Sequence, residues 1–242
     1  PIATQVNELL SRLQSSFQRE RQFSADLAHE LRTPLAELRS LAEVALKWPD
    51  ARPAETDRDV LDSALQMERL ISRLLALVRT DAGQTTLTLE MVDVGEMLRE
   101  LWSERQPRAD DRRIVVEWEI AHPVMCRTDP VLCRAVITNL LENALEHSPV
   151  GSVVSITADS DPHRWCVSVC NPAPHLNADN ILHVFDRFWR ADESRTDATH
   201  LGLGLPLARS FVRVLGGSLT ARLDDDGRIV VTLTVPIEGG LL

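Results

Sequence analysis

The sequence predicts two parts: an all-α helical hairpin that pairs with a second copy into a four-helix bundle, and an α+β sandwich behind it. Three observations carry this reading. Through residues 1–82 apolar side chains recur at three- and four-residue spacing, broken only around Trp48, Pro49 and Pro53. Past Gly83 the pattern changes to short alternating runs separated by helical ones. Near the end, two β-patterned runs flank Asp226-Gly227, a hairpin turn signal. With 242 residues and 44% apolar content the chain is long enough for two cores. The expected divisions are a lead-in helix over 1–20, the hairpin over 21–83 and the sandwich over 84–242, with Gly83-Gln84 as hinge.

Taken in order, residues 1–48 read as one helix, roughly 70 Å long at the rise of an α-helix. Ile2, Val6, Leu9, Leu13 and Phe17 open its stripe, and Phe23, Leu27, Leu31, Leu35 and Leu38 continue it. The abrupt, mid-helix start reads as a piece cut from something longer on the N-terminal side. Pro34 loosens the helix by removing a donor, and Trp48-Pro49 ends it. A second helix over Pro53–Ala82 carries Val60, Leu61, Ala64, Met67, Leu70, Ile71, Leu74 and Val78 on one face, with Gly83 past its end. Two such helices cannot bury their stripes alone, and dimerisation is the simplest remedy.

In the second part, Thr85–Glu90 is expected as a strand, Val92–Arg105 as a helix and Arg113–Ile120 as a strand. Asp129–Glu146 is a helix with Asp129 at its N-cap and Pro130 at its first position. Ser152–Ala158 and Trp165–Val169 are strands, 171–201 is loop-rich, and Leu203–Leu215 is a helix closed by Gly216-Gly217. The final hairpin pairs Leu219–Leu223 with Ile229–Val235. The result is a mixed sheet with helices on one face.

Charge narrows the function classes. The net charge is −10, with 11 basic and 13 acidic side chains in residues 1–84 against 15 and 23 in 85–242. That balance argues against a nucleic-acid or anionic-membrane surface. Lys47 is the one lysine of the chain, so a cation facing phosphate must be an arginine or a metal. Cys126, Cys133, Cys166 and Cys170 show no metal-ligand spacing and read as free thiols, as in a reducing cytosol. No apolar run approaches the roughly 18 residues of a membrane span.

Two stretches carry the chemistry. In the first, His29 lies off the apolar stripe with Thr33 one turn above it and Glu30 beside it. A neutral imidazole is a competent nucleophile near neutral pH, a carboxylate can take its proton, and a hydroxyl can position water. A surface histidine on a long helix fits that spacing equally well. The second stretch is Asn139-Leu-Leu-Glu-Asn143-Ala-Leu-Glu-His147, where two asparagines and the neighbouring Glu142 interrupt an apolar helix. Carboxamide oxygens suit a hard, hydrated Mg²⁺ bridging phosphate oxygens. Leu201-Gly202-Leu203-Gly204 then places glycines before a helix, where backbone N–H groups can approach a phosphate.

The run His29-Glu-Leu-Arg-Thr-Pro-Leu35 resembles the phosphoacceptor box of the sensor histidine kinases of two-component systems. Asn139–His147 resembles the N box of the GHKL ATPases, whose sandwich is the Bergerat ATP-binding fold. Gly202–Gly204 matches the G2 box, and Phe185-Asp-Arg-Phe188-Trp-Arg190 the F box at the base of an ATP lid. The resemblance implies that His29 is phosphorylated from ATP, with Glu30 as general base and Thr33 serving a phosphatase reaction. It implies that Asn143 ligates Mg²⁺, and that Asn139, His147, Asn171, Phe188, Arg190, Gly202, Leu203 and Gly204 bind the nucleotide. It further implies a homodimer, an aspartate-bearing response regulator as partner, a HAMP-like segment over 1–20, and a place on the cytoplasmic side of the bacterial inner membrane, held by a preceding transmembrane segment.

Three departures from the family pattern stand out. Asn171, Ala173 and His175 replace the Asp and two Gly of the G1 box, and a neutral acceptor for adenine is weaker by about 1 kcal/mol, or roughly fivefold. His200 stands at the first glycine of G2. Glu146 replaces the usual Lys or Arg, with Arg195 the candidate substitute cation. These changes motivate an alternative reading: a scaffold or phosphatase with a degenerate ATP site.

Overall fold

The computed structural model describes residues 87–120, 123–191 and 202–237, together with helical positions at 35–36, 38–44 and scattered points of 60–72. The chain divides into two units, Pro1–Leu74 and Leu75–Leu242. In the first unit the described positions are helical, as expected, and Arg39 Nε pairs with Glu43 Oε1 at 3.5 Å one turn away. Leu35, Leu61, Leu65 and Ile71 are exposed, Leu35 by 58%. Leu38, Val60 and Met67 of the same expected stripes are half-buried. No described helix in either unit is long and apolar enough to cross a membrane.

The first described strand of the second unit is β1 (Glu90–Asp93), antiparallel to β3 (Met125–Thr128), with Glu90 opposite Thr128 and Asp93 opposite Met125. The strand expected over 85–90 is therefore displaced toward its C-terminal side. Its physical reason is Asp129, whose Oδ2 accepts from Thr88 N at 2.8 Å and holds that residue outside the ladder. Asp93 ends β1 and caps α1 (Val94–Ser103), its Oδ1 accepting from Gly95 N and Glu96 N at 2.9 and 3.2 Å. Val94, Leu98, Leu101 and Trp102 form the buried side of α1. A short helix α2 (Gln106–Asp111), unexpected from the sequence, follows before β2 (Val115–Ile120).

Helix α3 (Pro130–His147) starts where the Asp129-Pro130 signal placed it; Asp129 Oδ1 accepts from Val131 N and Leu132 N, both at 3.0 Å. Strands β4 (Val153–Ser160) and β5 (Arg164–Pro172) come next, then a 3₁₀ turn at Asn180–His183 within the loop-rich stretch. Helix α4 (Gly204–Val214) and the hairpin β6 (Ser218–Leu223) and β7 (Arg228–Pro236) complete the unit.

Five strands form a mixed sheet in the order β2-β4-β5-β7-β6, parallel only between β2 and β4. The parallel pair needs a crossover, and α3 lies within it. Alternation along β5 sends Trp165, Val167, Val169 and Asn171 to the buried side, while Cys166, Ser168 and Cys170 stay half-buried on the other. On that second face Ser168 Oγ lies 2.9 Å from Thr232 Oγ1. Helices α3 and α4 therefore cover one face, burying Ile137, Leu140, Leu141 and Val212 against Ile156, Val167 and Leu233. This is the α+β sandwich expected. All four cysteines are free, with Cys126 and Cys133 fully buried. Burial foremost pushes both thiols up to about 12, so they pack as neutral groups.

Candidate active site

The site is built on α3. Asn139 and Asn143 stand one turn apart, as their spacing demands. Asn139 is buried and its Nδ2 donates to Ala135 O at 2.7 Å, a back-bond within the helix that fixes the carboxamide. Its Oδ1 then points at Gly204, where an added Cβ would stand 3.3 Å from that oxygen. The N box and the G2 box, about sixty residues apart in sequence, thus share one contact.

Gly202 joins the F box to the same place. Phe188 N donates to Gly202 O at 3.1 Å, and a Cβ on Gly202 would lie 2.6 Å from Trp189 O and 2.9 Å from Phe188 C. Gly202 has φ +60, and Phe188 itself sits at φ 62, a left-handed conformation uncommon for a bulky residue. Between the glycines, Leu203 is buried and occupies the N-cap position of α4. A leucine there offers no side-chain acceptor, so no side chain caps the first turn, whose N–H groups are those of Gly204 and Leu205, Pro206 having none.

Asn171, next to last in β5, lies on the helix-covered side, 1% exposed, with Nδ2 donating to Pro172 O at 3.0 Å. Ala173 is equally enclosed, its N–H donating to Gly227 O at 3.4 Å, so the methyl that replaces a family glycine is absorbed into the protein. His175 is exposed and its carbonyl accepts from Asn180 Nδ2 at 3.0 Å. Arg190 is half-buried at the end of the F-box run. His147 closes α3 with its Nε2 3.7 Å from Glu146 Oε1, and the Glu146 side chain is 17% exposed.

Glu142 differs from the sequence expectation that it stands beside the carboxamides. Its carboxylate is turned to Arg105 NH2 at 3.0 Å and Arg108 NH1 at 3.5 Å, both from the region of α2. Among the described residues no cluster of three or more His, Cys, Asp or Glu is arranged for a metal ion. A metal here would rest on carboxamide and phosphate oxygens, which is the chemistry Asn143 offers. His29, Glu30, Thr33 and Arg195 lie outside the described residues.

Comparison with known proteins matches this geometry to a family. Residues 128–239 match the model of the histidine kinase-, DNA gyrase B- and HSP90-like ATPases, and residues 19–83, which contain His29, match that of the His Kinase A (phospho-acceptor) domain. The chain belongs to the two-component sensor histidine kinases. Among its relatives, the sensor protein IrlS of Burkholderia pseudomallei is 34% identical over 93% of this chain and 48% of its own length. The histidine kinase AdeS of Acinetobacter baumannii superposes with a TM-score of 0.74 at 18% identity, covering 87% of this chain and 98% of that one. A structure of the histidine kinase ThkA in complex with the response regulator protein TrrA gives 0.71 at 19% identity, over 89% and 61%. The chain spans about half the length of the curated relatives it matches.

Proposed function

We propose that this chain is the catalytic core of a sensor histidine kinase that phosphorylates His29 from ATP and passes the phosphoryl group to an aspartate of a response regulator. The observation that carries it is the contact of Gly204 with Asn139 Oδ1, which puts the N-box carboxamides beside the uncapped start of α4. Backbone N–H groups of that first turn suit the polyphosphate, Asn143 presents its oxygen to the metal, Asn139 supports the phosphates, and Asn171 accepts from the adenine amino group. Mg²⁺, when bound, neutralises phosphate charge and orients the γ-phosphoryl. His147, Phe188, Arg190, Gly202 and Leu203 enclose the nucleotide, and Arg195 supplies the cation that Glu146 does not.

In the reaction the Nε2 lone pair of His29 attacks the γ-phosphorus in line, the bond to the β–γ bridging oxygen breaks, and ADP leaves. Glu30 polarises the ring by accepting from the other nitrogen. The regulator's aspartate then attacks the phosphorus and frees the imidazole, and Thr33 positions water for the reverse, dephosphorylating step. The complex of ThkA with the response regulator protein TrrA supports a partner of this kind. The hairpin would act as a homodimer, with 1–20 transmitting a signal from a membrane-anchored sensor and the core on the cytoplasmic side of the inner membrane.

The neutral Asn171 favours a second reading, a regulator-binding phosphatase with a weak ATP site. Incubation with γ-labelled ATP and Mg²⁺ decides. Acid-labile label on the parent, absent from His29→Ala and Asn143→Ala, is the expected result. A folded, dimeric parent that takes no label sinks the kinase reading in favour of the phosphatase.

A further inference from the structure

Helix α2 grips the site helix through arginines that no family box contains. Arg105, Arg108 and Arg112 follow one another at i, i+3 and i+7, so they share one side. Arg105 and Arg108 each take one oxygen of the Glu142 carboxylate. Arg105 is held in turn by Leu101 O at the end of α1, which accepts from its NH1 at 2.6 Å. Its side chain is 11% exposed and its buried Nε finds no acceptor among the described residues. A guanidinium accepts such enclosure only where its remaining donors are well satisfied: here NH2 is aimed at Glu142, while NH1 serves Leu101 O and lies 3.5 Å from Glu104 Oε2. Arg112 donates to Leu145 O, to Glu146 O at 3.0 Å and to Ser148 O at 2.7 Å, closing the last carbonyls of α3.

The placement of Glu142 on α3 gives this grip a consequence. At about 100° per residue, Glu142 and Glu146 lie roughly 60° and 20° to one side of Asn139, and Asn143 about 40° to the other. Two carboxylates one turn apart therefore border the carboxamide stripe, one of them, Glu146, at the position where the family usually has a Lys or Arg. We propose that Arg105, seconded by Arg108, is a positioning residue that sets nucleotide affinity by holding the Glu142 carboxylate away from the polyphosphate. This rests on the reading of α3 as the ATP site. Neither arginine touches the nucleotide; both act through Glu142.

Titration of the 242-residue chain with trinitrophenyl-ATP and Mg²⁺ tests it. R105Q should raise Kd about tenfold, the scale of one charge released within roughly 10 Å at an effective dielectric of about 20. E142Q alone should stay within about twofold of the parent, and R105Q/E142Q should return to that level. R108Q, at an exposed side chain, should lose about threefold with the same rescue, which covers the case of R105Q not folding. Were Arg105 only a prop for α2, the double variant would bind as weakly as R105Q, overturning the proposal; so would a tenfold loss in E142Q alone. A folded parent that binds no nucleotide overturns the ATP-site reading itself, whereas a parent and an R105Q that bind equally overturn the positioning role alone.

Discussion

Replacing Gly202 by alanine separates two costs that the fold combines at one residue. The first is conformational: at φ +60 an alanine is strained by about 1 kcal/mol. The second is steric, because the new Cβ would meet Trp189 O at 2.6 Å and Phe188 C at 2.9 Å. Both obstacles are backbone, so no side chain can rotate out of the way. Relief requires parting the chains, which loses the hydrogen bond from Phe188 N to Gly202 O, worth about 1 kcal/mol, and adds overpacking of about 1–2 kcal/mol. The total is about 3–4 kcal/mol. Gly227 provides the control: its φ is +72, yet nothing stands within 4 Å of an added Cβ, so Gly227→Ala should cost only about 1 kcal/mol. Urea unfolding followed by tryptophan fluorescence reads the difference, with Trp189 at the contact as reporter. At roughly 2–4 °C per kcal/mol, melting points of the two variants should differ by about 5–10 °C. Equal losses in both variants, with equal affinity for trinitrophenyl-ATP, would refute the close F-box approach on which the site is built.

Asp129 caps α3 through Oδ1 and ties down Thr88 N through Oδ2, so Asp129→Ala should cost about 2–3 kcal/mol in thermal melting; a loss under about 0.5 kcal/mol would disprove the double role. The thiols of Cys126 and Cys133 are pushed up to about 12 from the ordinary 9.0, so between those pH values the folded state keeps protons that the unfolded chain has lost. Stability should hold below pH 9 and then fall, by up to about 1.4 kcal/mol per pH unit per thiol, and Cys133→Ala should flatten the fall. Iodoacetamide at pH 8 should modify two thiols of the folded chain, Cys166 and Cys170, with Cys126 and Cys133 reacting only on unfolding; mass spectrometry gives the count.

Helix α3 was legible in the sequence because its start is written twice, in the carboxylate that caps it and the proline that follows, and because two asparagines in an apolar helix ask for a chemical reason. The glycines of the G2 box were legible as a close approach, although only the fold says that they approach Asn139 and the backbone of Phe188 and Trp189. Helix α2 left no periodic trace. Its one buried residue is Ala109, and what holds it is ion pairing with a helix more than thirty residues away. The basic spacing Arg105, Arg108, Arg112 was the available signal. Strand β3 has four residues between Pro123 and Asp129-Pro130, too few to show alternation, and it exists by pairing with β1. Glu142 was misplaced for a related reason: sequence spacing fixes a residue's angle on its helix, but a long side chain goes where its distant partner stands.

The hydrogen bond from Phe188 to Gly202 also brings two positions fourteen residues apart in sequence to a single point. The entropy of closing such a stretch grows only with the logarithm of its length, and doubling it costs about 0.6 kcal/mol. On that scale the single atom added by Gly202→Ala is several times more expensive than a doubling of a flexible loop. Drift in this family should therefore spare the glycine at position 202, where backbone meets backbone.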